Sequence, residues 1–145
     1  MILFVDTSAL VKLYVAEPGS EQMREAAAEG NPVAASRLAS AEIHATLARR
    51  RREGLLLDSE FEQLRVRFAA DWEELTQVAI GAEILTLIPG LCERNPLRGA
   101  DALQLASALL LSQEGLDVTF ACSDHRLLEA AALEGLATYD PAGQL

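Results

Sequence analysis

Ile2-Leu3-Phe4-Val5-Asp6-Thr7-Ser8-Ala9-Leu10 is the stretch on which the reading of the fold turns. Its four leading residues are apolar, with β-branched and aromatic side chains and no polar position among them. Such a run suits a strand covered on both faces at the centre of a parallel sheet. It stops at Asp6-Thr7-Ser8, and a helical pattern through Leu10, Leu13 and Tyr14 follows at once. In open α/β sheets ligands bind beyond the carboxyl ends of the strands, so Asp6 stands where such a protein carries its chemistry. Asp6 or Ser8 would serve equally as the cap of the following helix.

Outward from this stretch, the expected helix over 8–15 is broken by Glu17-Pro18-Gly19. Ser20 is the expected cap of a helix over 21–29, which Gly30-Asn31-Pro32 ends. Val33-Ala34-Ala35 reads as the second strand. Ser36 then caps a long helix over 37–53, with Leu38, Ala41, Ala45 and Ala48 as its apolar stripe. Arg49-Arg50-Arg51-Arg52 fill its last two turns, where cations suit the negative end of the macrodipole. Ser59-Glu60-Phe61-Glu62 reads as a capping box opening a helix to about residue 71, with Phe61, Phe68 and Trp72 at packing positions. Residues 75–80 read as the third strand. Ile84, Leu87, Ile88 and Leu91 fall at i, i+3, i+4 and i+7, so that segment is taken as a helix kinked or ended by Pro89. After Asn95-Pro96 come a helix over 98–113, a strand over 118–121, a helix to about 134 and a short strand over 137–139. Strands alternating with helices imply an α/β fold, a parallel sheet covered on both faces.

The chain has 145 residues, 50% of them hydrophobic, which fits one domain over 1–145 burying about two-thirds of its unfolded surface. No apolar run reaches the roughly 20 residues of a membrane span, and no basic-then-apolar leader opens the chain. Cys92 and Cys122 stand apart from any CxxC or His pair. The expectation is therefore a reduced, cytoplasmic protein with no membrane partner. A net charge of −10 excludes binding to nucleic acid through overall charge. It leaves room for a local basic face, and for clustered carboxylates that need a cation.

Four acids occupy positions that sheet logic brings together. Asp6 ends the first strand and Asp124 follows the fourth, with Ser8 and Ser123 beside them as hydroxyl partners. Glu42 lies in the second turn of the helix after the second strand, next to its apolar stripe, where an unpaired carboxylate is costly. Asp101 lies in the first turn of its own helix, where the macrodipole alone would favour an acid. Two carboxylates about 4 Å apart repel by roughly 4 kcal/mol at an effective dielectric of about 20. Either some protonate or a divalent cation neutralises them. Oxygen ligands suit Mg²⁺ or Mn²⁺ rather than zinc, and the reaction class such a site serves is metal-assisted phosphodiester hydrolysis.

Phe4-Val5-Asp6-Thr7-Ser8-Ala9-Leu10, Ser40-Ala41-Glu42, Leu97-Arg98-Gly99-Ala100-Asp101-Ala102-Leu103-Gln104-Leu105-Ala106, Ser123-Asp124-His125-Arg126-Leu127-Leu128 and Tyr139-Asp140-Pro141 resemble, in order, the motifs of the PIN domains. The closest likeness is to the VapC-type toxin ribonucleases. The resemblance implies a three-layer α/β/α fold with a five-stranded parallel sheet in the order 3-2-1-4-5. It implies the acidic quartet Asp6, Glu42, Asp101 and Asp124 as catalytic and metal-binding residues, with Ser8 and Ser123 as companions. It further implies dependence on Mg²⁺ or Mn²⁺, an RNA substrate, homodimerisation and a small antitoxin partner. Gly99-Ala100 before Asp101, where many relatives carry an aromatic, is a mild variation.

The expected activity is thus a metal-dependent endoribonuclease, the toxin of a type II toxin–antitoxin pair. Arg98, three residues before Asp101, is the candidate phosphate contact. His44 and His125 are given no general-base role, because metal-bound water makes one unnecessary. The arginine run is read as a solvated helix end, with RNA or antitoxin contact as its minority reading. Leu10, Val11, Tyr14 and Val15 are candidates for part of a dimer interface. Two other functions compete. One is a phosphatase with Asp6 as nucleophile, which usually needs a second acid where Ser8 stands. The other is a non-catalytic PIN-like interaction module.

Overall fold

The computed structural model describes residues 1–143. Its elements run β1 (Ile2–Val5), α1 (Thr7–Val11), α2 (Ser20–Ala27), β2 (Val33–Ser36), α3 (Leu38–Arg52), α4 (Asp58–Glu74), β3 (Thr76–Val78), α5 (Ala82–Arg94), α6 (Gly99–Gln113), β4 (Val118–Ala121), α7 (His125–Leu133) and β5 (Ala137–Tyr139). The five strands are parallel, in the order β3-β2-β1-β4-β5. β1 is central, which explains why its sequence shows no polar alternation.

Alternate residues of β1 feed two cores. On one face Phe4 stacks on Phe120 of β4, centroids 5.6 Å apart and rings 9° from parallel. Ile84, Leu91, Leu105 and Leu127 from α5, α6 and α7 complete that layer. On the other face Leu3 and Val5 pack with Leu10, Met23, Ile43, Leu47 and Phe68 from α1 to α4. β2 flanks β1 on one side and β4 on the other, so the strand order reverses between β1 and β4. Crevices open at that point, outside the carboxyl ends of the strands.

Several local expectations need correction. α1 ends at Val11 rather than reaching residue 15. Its successors Tyr14 and Val15, with Leu10 and Val11, are buried within the protomer and cannot supply a dimer interface. Gly19, not Ser20, caps α2, with φ 91° that a glycine adopts without strain. Ser20 instead accepts from the Glu17 amide and donates to the Val15 carbonyl. α3 buries Ala39, Ile43 and Leu47, so its stripe is rotated from the alanine set; Ala41 and Ala45 are exposed. The larger side chains win the core face because they remove more apolar area from water.

α4 begins one residue before the expected cap, at Asp58, where Glu60 accepts from the Leu57 amide at 2.8 Å. It runs on to Glu74 and shortens β3 to three residues. Pro89 sits inside α5 without ending it. Pro89 is exposed, so the hydrogen bond it removes lies on the side turned to water.

Candidate active site

Asp6 and Asp124 are both helix caps, the first of α1 and the second of α7. A strand end followed by a helix start needs an acceptor at that position, and both acids supply it. Asp6 is 5 % exposed. Its Oδ1 accepts from the Ser8 hydroxyl at 2.7 Å and the Ala9 amide at 3.0 Å, and its Oδ2 accepts from the Cys122 thiol at 3.2 Å. Burial pushes its pKa up to about 6, against the pull of these hydrogen bonds and with a further push from Asp101. Asp124 is exposed, and its Oδ1 accepts from the amides of Arg126 and Leu127.

The helices bring in the other two acids. Glu42 points from α3 toward α1 and α6, and its Oε1 accepts from the Thr7 hydroxyl at 2.6 Å and the Gln104 amide at 3.0 Å. Asp101, in the first turn of α6, is half-buried. Desolvation raises its pKa first, and then Asp124 and Glu42 as neighbouring negative charges, while Arg98 opposes them. Glu42, Asp101 and Asp124 line one cleft of about 510 Å³ with Pro96, Arg98, Ala100, His125 and Arg126. Asp6 lies buried beside it, linked through Ser8, whose hydroxyl accepts from the Ser123 amide at 3.0 Å. The acids therefore gather at the carboxyl edge, although α6 follows another helix rather than a strand.

The donor chemistry fits a hard divalent cation. The cleft offers carboxylate oxygens, with neither His nor thiolate needed, and Ser123 Oγ is buried without a partner among the described residues. No three Asp, Glu, His or Cys side chains among the described residues are gathered tightly enough to enclose an ion unaided.

Arg98 and Arg126 both line the cleft. His125 is turned to Asp140, 3.3 Å away. None of the four arginines of α3 lines the cleft: Arg50 pairs with Glu17 at 3.0 Å and Arg51 lies over Phe61 at 4.1 Å. Phe68 is buried in the core, and Trp72 packs against it. Reading the residues alone passed over Gln104 and Cys122 as partners of the acids, and did not link Thr7 to Glu42. Gln104 carried a signal, being an amide in an otherwise apolar run three residues after Asp101.

The PIN domain family matches residues 3–133. Ribonuclease VapC45 and Ribonuclease VapC49 of Mycobacterium tuberculosis are each 36% identical over 135 residues, covering 92% of this chain and 92% of their own. Among solved structures, FitAcB from Neisseria gonorrhoeae superposes with a TM-score of 0.67 at 17% identity, over 99% of this chain and 100% of its own. VapBC2 from Rickettsia felis, bound to a promoter DNA fragment, does so with a TM-score of 0.66 at 15% identity, over 97% and 98%. The solved structures show the shared fold, while the family match and the closer relatives span nearly the whole chain. This chain belongs to the PIN domain family, and its relatives within it are VapC ribonucleases.

Proposed function

We propose that this chain is a divalent-metal-dependent endoribonuclease, active on RNA phosphodiesters as the toxin of a type II toxin–antitoxin pair. The observation that carries the reading is the cleft that Glu42, Asp101 and Asp124 line from three separate helices or caps, with Asp6 buried beside it. Its support is the kinship with proteins named ribonucleases and the likeness to a toxin–antitoxin complex from Klebsiella pneumoniae. That likeness has a TM-score of 0.60 at 22% identity.

Asp6, Glu42, Asp101 and Asp124 would hold Mg²⁺ or Mn²⁺. Bound there, such an ion supplies a water of lowered pKa and offsets negative charge on the phosphate. Arg98 and Arg126 at the rim bind the RNA backbone by charge, and Arg98 also pulls the Asp101 pKa down against the raising effect of burial. Ser8 fixes Asp6 and ties β1 to the Ser123 amide, so the two strand ends keep their spacing.

A phosphatase with Asp6 as nucleophile is disfavoured by Ser8, which stands where that pattern usually needs a second acid. The remaining parts of the reading are one domain over 1–145, a cytoplasmic homodimer and a small antitoxin. No helix among the described residues is long and apolar enough to cross a membrane. Purified chain freed of any antitoxin is expected to cleave RNA with added Mg²⁺ or Mn²⁺ and to stop in EDTA. Undiminished cleavage in EDTA would overturn the metal mechanism.

A further inference from the structure

Gln104 lies on α6 one turn beyond Asp101 and is 2 % exposed. Its Nε2 donates to Glu42 Oε1 at 3.0 Å and to Thr7 Oγ1 at 3.1 Å, while Thr7 donates its own proton to the same Oε1 at 2.6 Å. Both donors fall on one carboxylate oxygen, which leaves Oε2 as the oxygen available to the cleft that Glu42 lines. The amide cannot turn over, because that would set its oxygen against Glu42 Oε1, an acceptor already taking the Thr7 proton. Held this way, Gln104 keeps its own Oε1 buried without a hydrogen-bond partner among the described residues. An orphaned buried acceptor is destabilising. An apolar side chain of the same length would pack this buried face of α6 without that cost. In the folding balance the two bonds that Nε2 donates and the orphaned oxygen oppose each other; what an apolar side chain could not supply is the hold on Glu42.

We propose that Gln104 and Thr7 are positioning residues that clamp Oε1 of Glu42 and present Oε2 to a divalent cation in the cleft. The proposal rests on the metal-nuclease reading, deepens it, and assigns the two residues no contact with RNA. The test uses Mn²⁺ alone, titrated calorimetrically into the full chain without RNA or antitoxin, alongside the Tm of each protein in EDTA. Gln104→Met is expected to weaken Mn²⁺ binding by about 10- to 100-fold, the usual cost of losing an outer-shell partner. Its Tm in EDTA is expected to stay near the native value, since removing the orphaned oxygen offsets the two donated bonds that are lost. Thr7→Val is expected to weaken Mn²⁺ in the same direction, and being only half-buried it carries the test if Gln104→Met does not fold.

A purely structural Gln104 gives the reverse pattern: Tm falls and Mn²⁺ binds as in the native chain. That result, or native affinity in Thr7→Val, overturns the proposal. Glu42→Gln separates the two levels of the reading. If it weakens Mn²⁺ while Gln104→Met and Thr7→Val do not, only the positioning role fails. If Glu42→Gln itself binds Mn²⁺ as tightly as native, the metal site at Glu42 fails, and the positioning role with it.

Discussion

Cys122 donates its thiol proton to Asp6 Oδ2 at 3.2 Å, joining the residue after β4 to the residue after β1. Its sulfur also accepts from the Asp124 amide at 3.2 Å, so one buried thiol bridges two of the acids. Burial and the nearby Asp6 charge push the Cys122 pKa up, and the group stays a neutral donor.

A thiol held this way is poorly nucleophilic, since the thiolate is the reactive form. Native chain should therefore react with an aromatic disulfide reagent at Cys92 alone, which is exposed. Both of the chain's two cysteines should react in guanidinium. Rapid titration of two thiols in the native state would contradict the buried bridge.

Asp6 also makes stability depend on pH. Its pKa is about 6 in the fold and 3.8 as the ordinary value. Between those values the folded chain holds a proton that the unfolded chain has released, so its contribution to stability falls as pH rises through about 6. The shift corresponds to about 3 kcal/mol as an order of magnitude. Asp101, also raised, acts in the same direction. In EDTA, Asp6→Asn should raise Tm near pH 7.5 and flatten the decline from pH 5, as followed by circular dichroism. A variant with the native pH slope would count against Asp6 as its source.

Asp6→Asn and Asp124→Asn should keep the fold, because Asn caps a helix about as well as Asp. Each should lower RNA cleavage by more than the roughly 10- to 100-fold that outer partners of a metal cost. A cap with no further role would leave cleavage unchanged in both. Single-turnover rates at saturating Mn²⁺ distinguish the cases.

Arg98 and Arg126 stand at the rim of the cleft. Arg98→Ala should weaken RNA binding and should reduce the salt dependence of binding by about 0.7 in log–log slope for one phosphate contact on single-stranded RNA. An unchanged slope would remove Arg98 from the substrate path.

The oligomer needs its own measurement, because the apolar residues first assigned to it lie inside the protomer. Sedimentation at micromolar concentration should report a dimer, through a surface other than Leu10, Val11, Tyr14 and Val15. A monomer throughout would refute homodimerisation.

The sequence by itself determined which elements form, and which acids start at the carboxyl edge. Periodicity, caps and breakers are local, so β1 and the capping roles of Asp6 and Asp124 could be read within a few residues of each. The family resemblance added the strand order. Only tertiary structure decided the rest. The rotation of α3 depends on which residues meet the sheet and α4, so Ile43 and Leu47 rather than Ala41 and Ala45 turn inward. Whether Asp101 reaches Glu42 and Asp124 depends on how α6 crosses the sheet after α5, and no local pattern carries that. The bond from Gln104 to Glu42 joins residues 62 positions apart. At that separation a pair of side chains meets only because the packed layers bring them together, and a local signal marks one as unusual without naming its partner.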